Sequence, residues 1–301
     1  MVRAKLAWLG ALSDDAGVAE RSCSQIEADA APVIAELLGG RVAHSERIPG
    51  ARNNALHRVE LVDGRVLGVK QYARGRDYAV EGAALRAVDG AVPVPEILCT
   101  LDRVIAYRWL DGETLDACQR REPSVVAALA APLGQLLGQL ARLRRDPRPV
   151  DLAPALAQLA AGPARDRLGD ALADALRHEL EAARFDDPSC MVHGGFSADH
   201  VIVAPSVDRS AGATAVALAG VIDWETATTG SMLCDLGRLV RHIQPDDAGF
   251  RAGFERGHGD LPADWFRRAR LLDATQLVAR LAADCDEPRA GELRALIARA
   301  V

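Results

Sequence analysis

The residues whose types and spacing point most specifically to chemistry fall in two short segments. The first runs Met191-Val192-His193-Gly194-Gly195-Phe196-Ser197-Ala198-Asp199-His200-Val201-Ile202-Val203. The second is Gly220-Val221-Ile222-Asp223-Trp224-Glu225, followed by Gly230 and by Asp235-Leu236-Gly237. Imidazoles and carboxylates are the side chains that most often move protons and ligate divalent cations near neutral pH. Asp223 is the strongest single candidate. It ends an apolar run and enters a loop, where a carboxylate can be exposed to a bound divalent cation. Taken alone, an aspartate at a strand end is commonly just a turn former.

The pair of segments resembles the catalytic and metal-binding loops of the aminoglycoside phosphotransferase and choline kinase families. There the first loop reads His-Gly-Asp, four residues, then Asn and an apolar strand. The second reads Ile-Asp-Trp-Glu, a glycine, then Tyr-Asp-Leu. The likeness extends upstream and covers most of the chain. It implies an α+β, bilobal protein-kinase-like fold, with a small antiparallel-sheet N-lobe and a large, mainly helical C-lobe. Residues 1–109 would form the nucleotide-binding lobe with a leading helix, and 110–301 the helical lobe with both loops. The implied cofactors are ATP (or GTP) and Mg²⁺, and the implied partner is a small-molecule substrate.

Phosphoryl transfer asks a protein mainly for alignment and charge neutralisation around the phosphates. By the resemblance, Lys70 on a third strand reaches those phosphates and Glu81 on the next helix holds it. The loop containing Gly50 and Asn53 covers the phosphates with backbone N–H groups. Tyr107 and Trp109 belong to the hinge against which the base packs. Asp223 binds the metal, with Trp224 and Glu225 supporting that assignment. His193 stabilises the catalytic loop by hydrogen bonding, and Asp235 supports it.

The sequence departs from the family at two critical places. The catalytic aspartate falls on Gly195 and the metal-binding asparagine on His200; Ser231 also replaces an aspartate. Glycine cannot accept a proton, and a positioned base contributes roughly 10²–10⁴ in rate. His200 could ligate a divalent metal, although imidazole suits zinc, nickel or copper better than magnesium. Asp199 is a substitute base or ligand, opposed by the different directions in which neighbouring residues point. The loop candidates are therefore Asp199, His200 and His193, with Asp223 and His200 for metal. The implied activity is ATP-dependent O-phosphotransfer to a hydroxylated antibiotic or metabolite through an altered site. The alternatives are a catalytically degenerate nucleotide- or metabolite-binding pseudokinase, or a fold recruited for another reaction of secondary metabolism.

The elements that must position these residues show in the periodicity. Helical spacing through Ile26, Ala30, Val33, Ile34 and Leu37 predicts a first helix, starting or kinked at Pro32. Strands are predicted over 42–48, 54–62 and 65–72, with Asp63-Gly64 as a hairpin turn. A helix follows over 77–88, then strands over 96–100 and 103–109, and Leu110-Asp111-Gly112 as a hinge. Beyond it, helices are predicted over 125–143 (with Pro132 as kink or start), 152–159, 171–183, 232–243, 263–283 and 290–300. Two strands interrupt them over 201–204 and 216–223.

Composition bounds the rest. The 301 residues are 49% hydrophobic and 26% charged, ordinary for a globular chain with about two domains. A net charge of -6 argues against non-specific nucleic-acid binding, which needs a basic surface. Six scattered cysteines without a CxxC pair read as reduced thiols. The apolar run Leu6–Leu12 is too short to span a bilayer, so no membrane association and a cytoplasmic location are expected. Asp246, Asp247, Asp284, Asp286 and Glu287 read as solvated helix-end carboxylates more readily than as an acidic substrate rim.

Overall fold

The computed structural model describes residues 23–49, 54–205, 216–241, 248–283 and 286–301. Gly50 and Asn53 lie outside this set, as do Asp246, Asp247 and Asp284. The first part is a five-stranded antiparallel sheet of β1 (Val42–Arg47), β2 (Asn54–Leu61), β3 (Val66–Tyr72), β4 (Ile97–Leu101) and β5 (Val104–Arg108), in the order β1-β2-β3-β5-β4. Helix α1 (Cys23–Leu37) precedes it and α2 (Gly75–Val88) joins β3 to β4. The turn between β2 and β3 uses Gly64 at φ 86°, and the Asp63 carboxylate accepts from the Arg65 amide at 3.1 Å.

Strand alternation sorts the two faces of this sheet. Val59, Leu67, Val69 and Ala106 pack with Ile34 and Ala35 of α1. Tyr72, Ile105 and Tyr107 form a separate cluster. Lys70, two positions from Tyr72 on β3, follows its parity and so turns away from α1.

The second part is mainly helical. It contains α3 (Leu115–Arg121), α4 (Val125–Ala128), α5 (Ala130–Arg142), α6 (Ala153–Ala161), α7 (Pro163–Leu168), α8 (Asp170–Ala182), α9 (Leu233–Val240), α10 (Ala248–His258), α11 (Trp265–Ala282) and α12 (Glu287–Ala298). Two small sheets interrupt them. One orders β6 (Glu113–Thr114), β8 (Val201–Pro205) and β9 (Val216–Val221); the other pairs β7 (Cys190–Val192) with β10 (Thr228–Gly230). A core of Leu133, Leu137, Phe250, Phe254 and Trp265 continues to Leu85 and Val88 of α2, so one apolar interior links the parts. Helices α5 and α10 approach closely through glycines. A Cβ on Gly134 would lie 2.2 Å from the Phe254 carbonyl oxygen, and one on Gly257 2.0 Å from that of Ala131.

The structure departs from the predicted elements at several points. Helix α1 continues through Pro32 instead of starting there. The predicted helix over 125–143 breaks at Leu129 (φ -90°, ψ 1°), not at Pro132. Pro132 is the third residue of α5, in the first turn, where its missing N–H has no intrahelical partner to lose. Strands β6, β7 and β10 are two or three residues long and too short to show a period. Among the described residues no helix is long and apolar enough to cross a membrane.

Candidate active site

Lys70 projects from β3 into a nest of carboxylates. Its Nζ lies 2.7 Å from Glu81 Oε2 of α2, 2.5 Å from Asp223 Oδ1 and 3.0 Å from Glu225 Oε2. The Lys70 side chain is 8% exposed. Burial alone would discharge the ammonium, but Glu81, Asp223 and Glu225 outweigh it and hold the lysine charged. Burial works against Asp223 too, yet the adjacent ammonium keeps its carboxyl below the usual range. Glu225 is raised by burial, partly offset by Lys70. The Tyr72 hydroxyl donates to Glu81 Oε2 at 2.6 Å, and the Asn54 amide donates to Glu225 Oε2.

Asp223 follows the end of β9 in the left-handed region, at φ 69° and ψ 55°. Few residues other than glycine take this conformation, and aspartate is among the more tolerant. The backbone twist accompanies a carboxylate that faces two ways. Oδ1 meets Lys70, while Oδ2 lies 3.3 Å from His200 Nε2. The Trp224 indole is fully buried and donates to the Val221 carbonyl at 3.0 Å, fixing the turn that follows Asp223.

The loop after β7 is tied down from several sides. Asp235 at the start of α9 accepts from the His193 amide at 2.6 Å and the Gly194 amide at 2.9 Å. The Phe196 amide also donates to it. Burial raises the Asp235 carboxyl to about 6 against these donors. His193 is buried; its Nδ1 accepts from the Gly195 amide at 3.2 Å, so Nε2 carries the proton and donates to the Ile222 carbonyl at 2.9 Å. Burial pushes this imidazole down to about 4, which keeps it neutral. The ring therefore staples the loop beginning at His193 to the residue before Asp223. Gly194 sits at φ 75°, and a Cβ there would lie 2.2 Å from the Thr226 carbonyl oxygen, so no larger residue fits.

Gly195 is different. A Cβ there would lie 3.0 Å from Thr226 Oγ1, 3.3 Å from Arg238 Nη1 and 3.4 Å from His193 Nδ1, all side-chain atoms. The guanidinium of Arg238, on α9, donates to the Gly194 carbonyl at 2.8 Å. His200 Nδ1 donates to the Gly195 carbonyl at 2.8 Å, which leaves Nε2 facing Asp223 Oδ2 at 3.3 Å. An imidazole nitrogen facing a carboxylate oxygen holds either a proton or a cation between them. One imidazole nitrogen and one carboxylate oxygen could hold a divalent metal, the imidazole suiting zinc or nickel better than magnesium. Glu81 and Glu225 also lie within reach of Asp223, and the Lys70 ammonium already occupies the space between the three carboxylates, offsetting part of their charge.

The predicted site residues thus divide. Lys70, Glu81, Asp223 and His200 converge, with His193 and Asp235 bracing the loop beside them. Asp199 is hydrogen-bonded to Asp116 of α3; burial and that second carboxyl raise its pKa, and Arg120 pairs with Asp116 at 2.5 Å. Tyr107 is buried on β5 with its ring over Gly68, where a Cβ would meet Cε2 at 2.2 Å. The Trp109 amide donates to the Val66 carbonyl at 3.1 Å and its ring lies under the Arg58 guanidinium at 5.8 Å. Asp286 caps α12 by accepting from the Arg289 amide at 2.9 Å, and Glu287 pairs with Arg294, both helix-end roles. Sequence reasoning missed Asn54, Thr226 and Arg238. Asn54 begins a strand and Arg238 lies three residues past Asp235; neither stands in a motif that marks it.

Comparison with known proteins finds matches over most of the chain. A family profile described as the phosphotransferase enzyme family matches residues 45–272. Aminoglycoside 2'-phosphotransferase IIIa, solved with GDP, superposes with a TM-score of 0.64 at 16% identity, covering 89% of this chain and 95% of that one. A choline/ethanolamine kinase family protein from Mesorhizobium loti gives 0.61 at 17% identity, covering 92% and 94%. A segment of 71 residues, 22% of this chain, is 35% identical to part of the Arabidopsis thaliana protein named acyl-CoA dehydrogenase IBR3. That segment is 8% of the plant protein.

Proposed function

The chain belongs to the phosphotransferase enzyme family, and from that premise we propose that it moves the terminal phosphoryl group of ATP or GTP to an oxygen of a small molecule. The observation that carries this reading is the buried Lys70–Glu81 pair meeting Asp223 within one cluster. A lysine locked by a glutamate is a fixed positive charge for phosphates, and Asp223 with His200 offers the metal position beside it. A divalent cation bound there neutralises charge on the phosphates. Gly50 and Asn53 belong to the loop proposed to cover the phosphates, and Tyr107 with Trp109 to the strand end proposed to meet the base. The boundary between the two lobes falls near residues 109–110 in this reading.

The protein's own residues account for alignment better than for proton transfer. His193 and Asp235 hold the loop rigid, and Lys70 is oriented before any ligand arrives. No carboxylate stands at Gly195. This absence supports a second reading, a nucleotide-binding protein without transfer. Thermal stability with ATP and Mg²⁺ tests both, because a ligand of the native state raises stability by mass action. A rise with nucleotide plus metal supports either reading. Phosphate transfer to an acceptor then supports the first, and no rise at millimolar ATP contradicts both.

A further inference from the structure

Among the described residues, the imidazoles and carboxylates near Gly195 each face a partner of their own. His193 uses Nδ1 for the Gly195 amide and Nε2 for the Ile222 carbonyl. His200 donates Nδ1 to the Gly195 carbonyl and turns Nε2 to Asp223. Asp223 faces Lys70, Asp235 takes the amides of the loop, and Asp199 is bonded to Asp116. The charged group beside Gly195 is instead a cation. Arg238 Nη1 is 3.3 Å from where a Cβ of residue 195 would stand. Among the described residues no carboxylate stands within ion-pair distance of Arg238, although Asp273 and Asp235 act on it from farther away. Its neighbour Arg241 is paired in a fork with Asp273 at 2.8 and 2.5 Å, and Arg280 adds further positive charge nearby. A half-buried guanidinium with one carbonyl partner has donors left for an anion.

We propose that the acceptor oxygen is a carboxylate held by Arg238, so that transfer makes an acyl phosphate. The inference rests on the phosphotransfer reading above and names its acceptor class. A hydroxyl group needs a base to take its proton during attack. A carboxylate is already ionised at neutral pH and needs none. It would be repelled by an aspartate at position 195, and glycine removes that repulsion. Arginine matches the planar carboxylate with two parallel N–H donors. In the reaction, one carboxylate oxygen forms a bond to the γ-phosphorus as the bond to the β–γ bridging oxygen breaks. The electron pair leaves with the nucleoside diphosphate, and no proton is released or taken up.

The test uses the full chain saturated with ADP and Mg²⁺ and titrated with matched probes: butyrate against butanol, hexanoate against hexanol, benzoate against benzyl alcohol. At least one carboxylate is expected to bind about tenfold or more tightly than its alcohol. Arg238→Ala and Arg238→Lys should both remove that preference, since lysine lacks the planar fork. Gly195→Asp should reverse it, with Thr226 Oγ1 and Arg238 Nη1 having to give a few tenths of an ångström to the new Cβ. With ATP and hydroxylamine, the preferred carboxylate should yield a hydroxamate, and a pH-stat should show no proton release before trapping. Alcohols binding as well as carboxylates, no carboxylate binding at all, or a preference untouched in Arg238→Ala overturns the inference while leaving phosphotransfer standing. Failure of ADP and Mg²⁺ to bind removes the phosphotransfer reading and this one with it.

Discussion

The ammonium of Lys70 and the carboxylate of Asp223 stand 2.5 Å apart although 153 positions separate them in the chain. One comes from the sheet and the other from the loop after β9, so the contact joins the two parts of the molecule. Glu81 and Glu225 complete a cluster in which three carboxylates surround one cation. Such a cluster is costly to leave half-made, because a buried charge without its partner keeps the full desolvation penalty.

Lys70→Met should therefore destabilise the protein as well as impair ligand binding. Removing one member of a buried ion pair typically costs about 3–5 kcal/mol. Denaturant unfolding should show a loss of that order, and Lys70→Met combined with Glu81→Gln should recover part of it. A Lys70→Met variant as stable as the wild type contradicts the account of this cluster.

The buried imidazole of His193 predicts a pH signature. Its folded pKa of about 4 lies below the ordinary value of 6.5. A group whose folded pKa is depressed contributes stability that is complete above 6.5 and is lost as pH falls toward 4. At 1.36 kcal/mol per pH unit the contribution is roughly 3 kcal/mol. Asp235, raised to about 6, works in the opposite direction over the overlapping range, gaining stability as pH falls. The stability difference between wild type and His193→Gln isolates the imidazole. That difference should shrink by roughly 3 kcal/mol between pH 6.5 and pH 4, as read by urea unfolding at each pH. A constant difference contradicts the assignment of a neutral, buried ring.

Close helix packing supplies a third expectation. Gly257→Ala places a methyl group 2.0 Å from the Ala131 carbonyl oxygen, a backbone atom that cannot move without shifting α5. Overpacking of this kind costs about 1–3 kcal/mol. A fall in Tm without loss of nucleotide affinity is expected. An unchanged Tm would show that α5 and α10 do not approach as described.

Much of this was legible in the sequence, for physical reasons that vary along the chain. The sheet was readable because alternation and the Asp63-Gly64 turn are local signals. Lys70, Glu81 and Asp223 stood out because motif and predicted element agreed at each, and the structure brings the three into contact. Strands β6, β7 and β10 escaped because two or three residues carry no period. The break at Leu129 escaped because proline is the more conspicuous breaker, yet Pro132 falls in a first turn that tolerates it. Asn54 and Arg238 escaped because their roles depend on contacts with distant segments: Glu225 for the first and the Gly194 carbonyl for the second.

Lys70 and Asp223 are proposed to serve together as one site for nucleotide phosphates and metal. Isothermal titration of ATP into wild type and Asp223→Asn, each with Mg²⁺ and with EDTA, tests it most directly. Wild type should bind ATP more tightly with Mg²⁺ than with EDTA, and Asp223→Asn should lose this metal dependence. Equal ATP affinity in all four titrations, or binding in none, would contradict it.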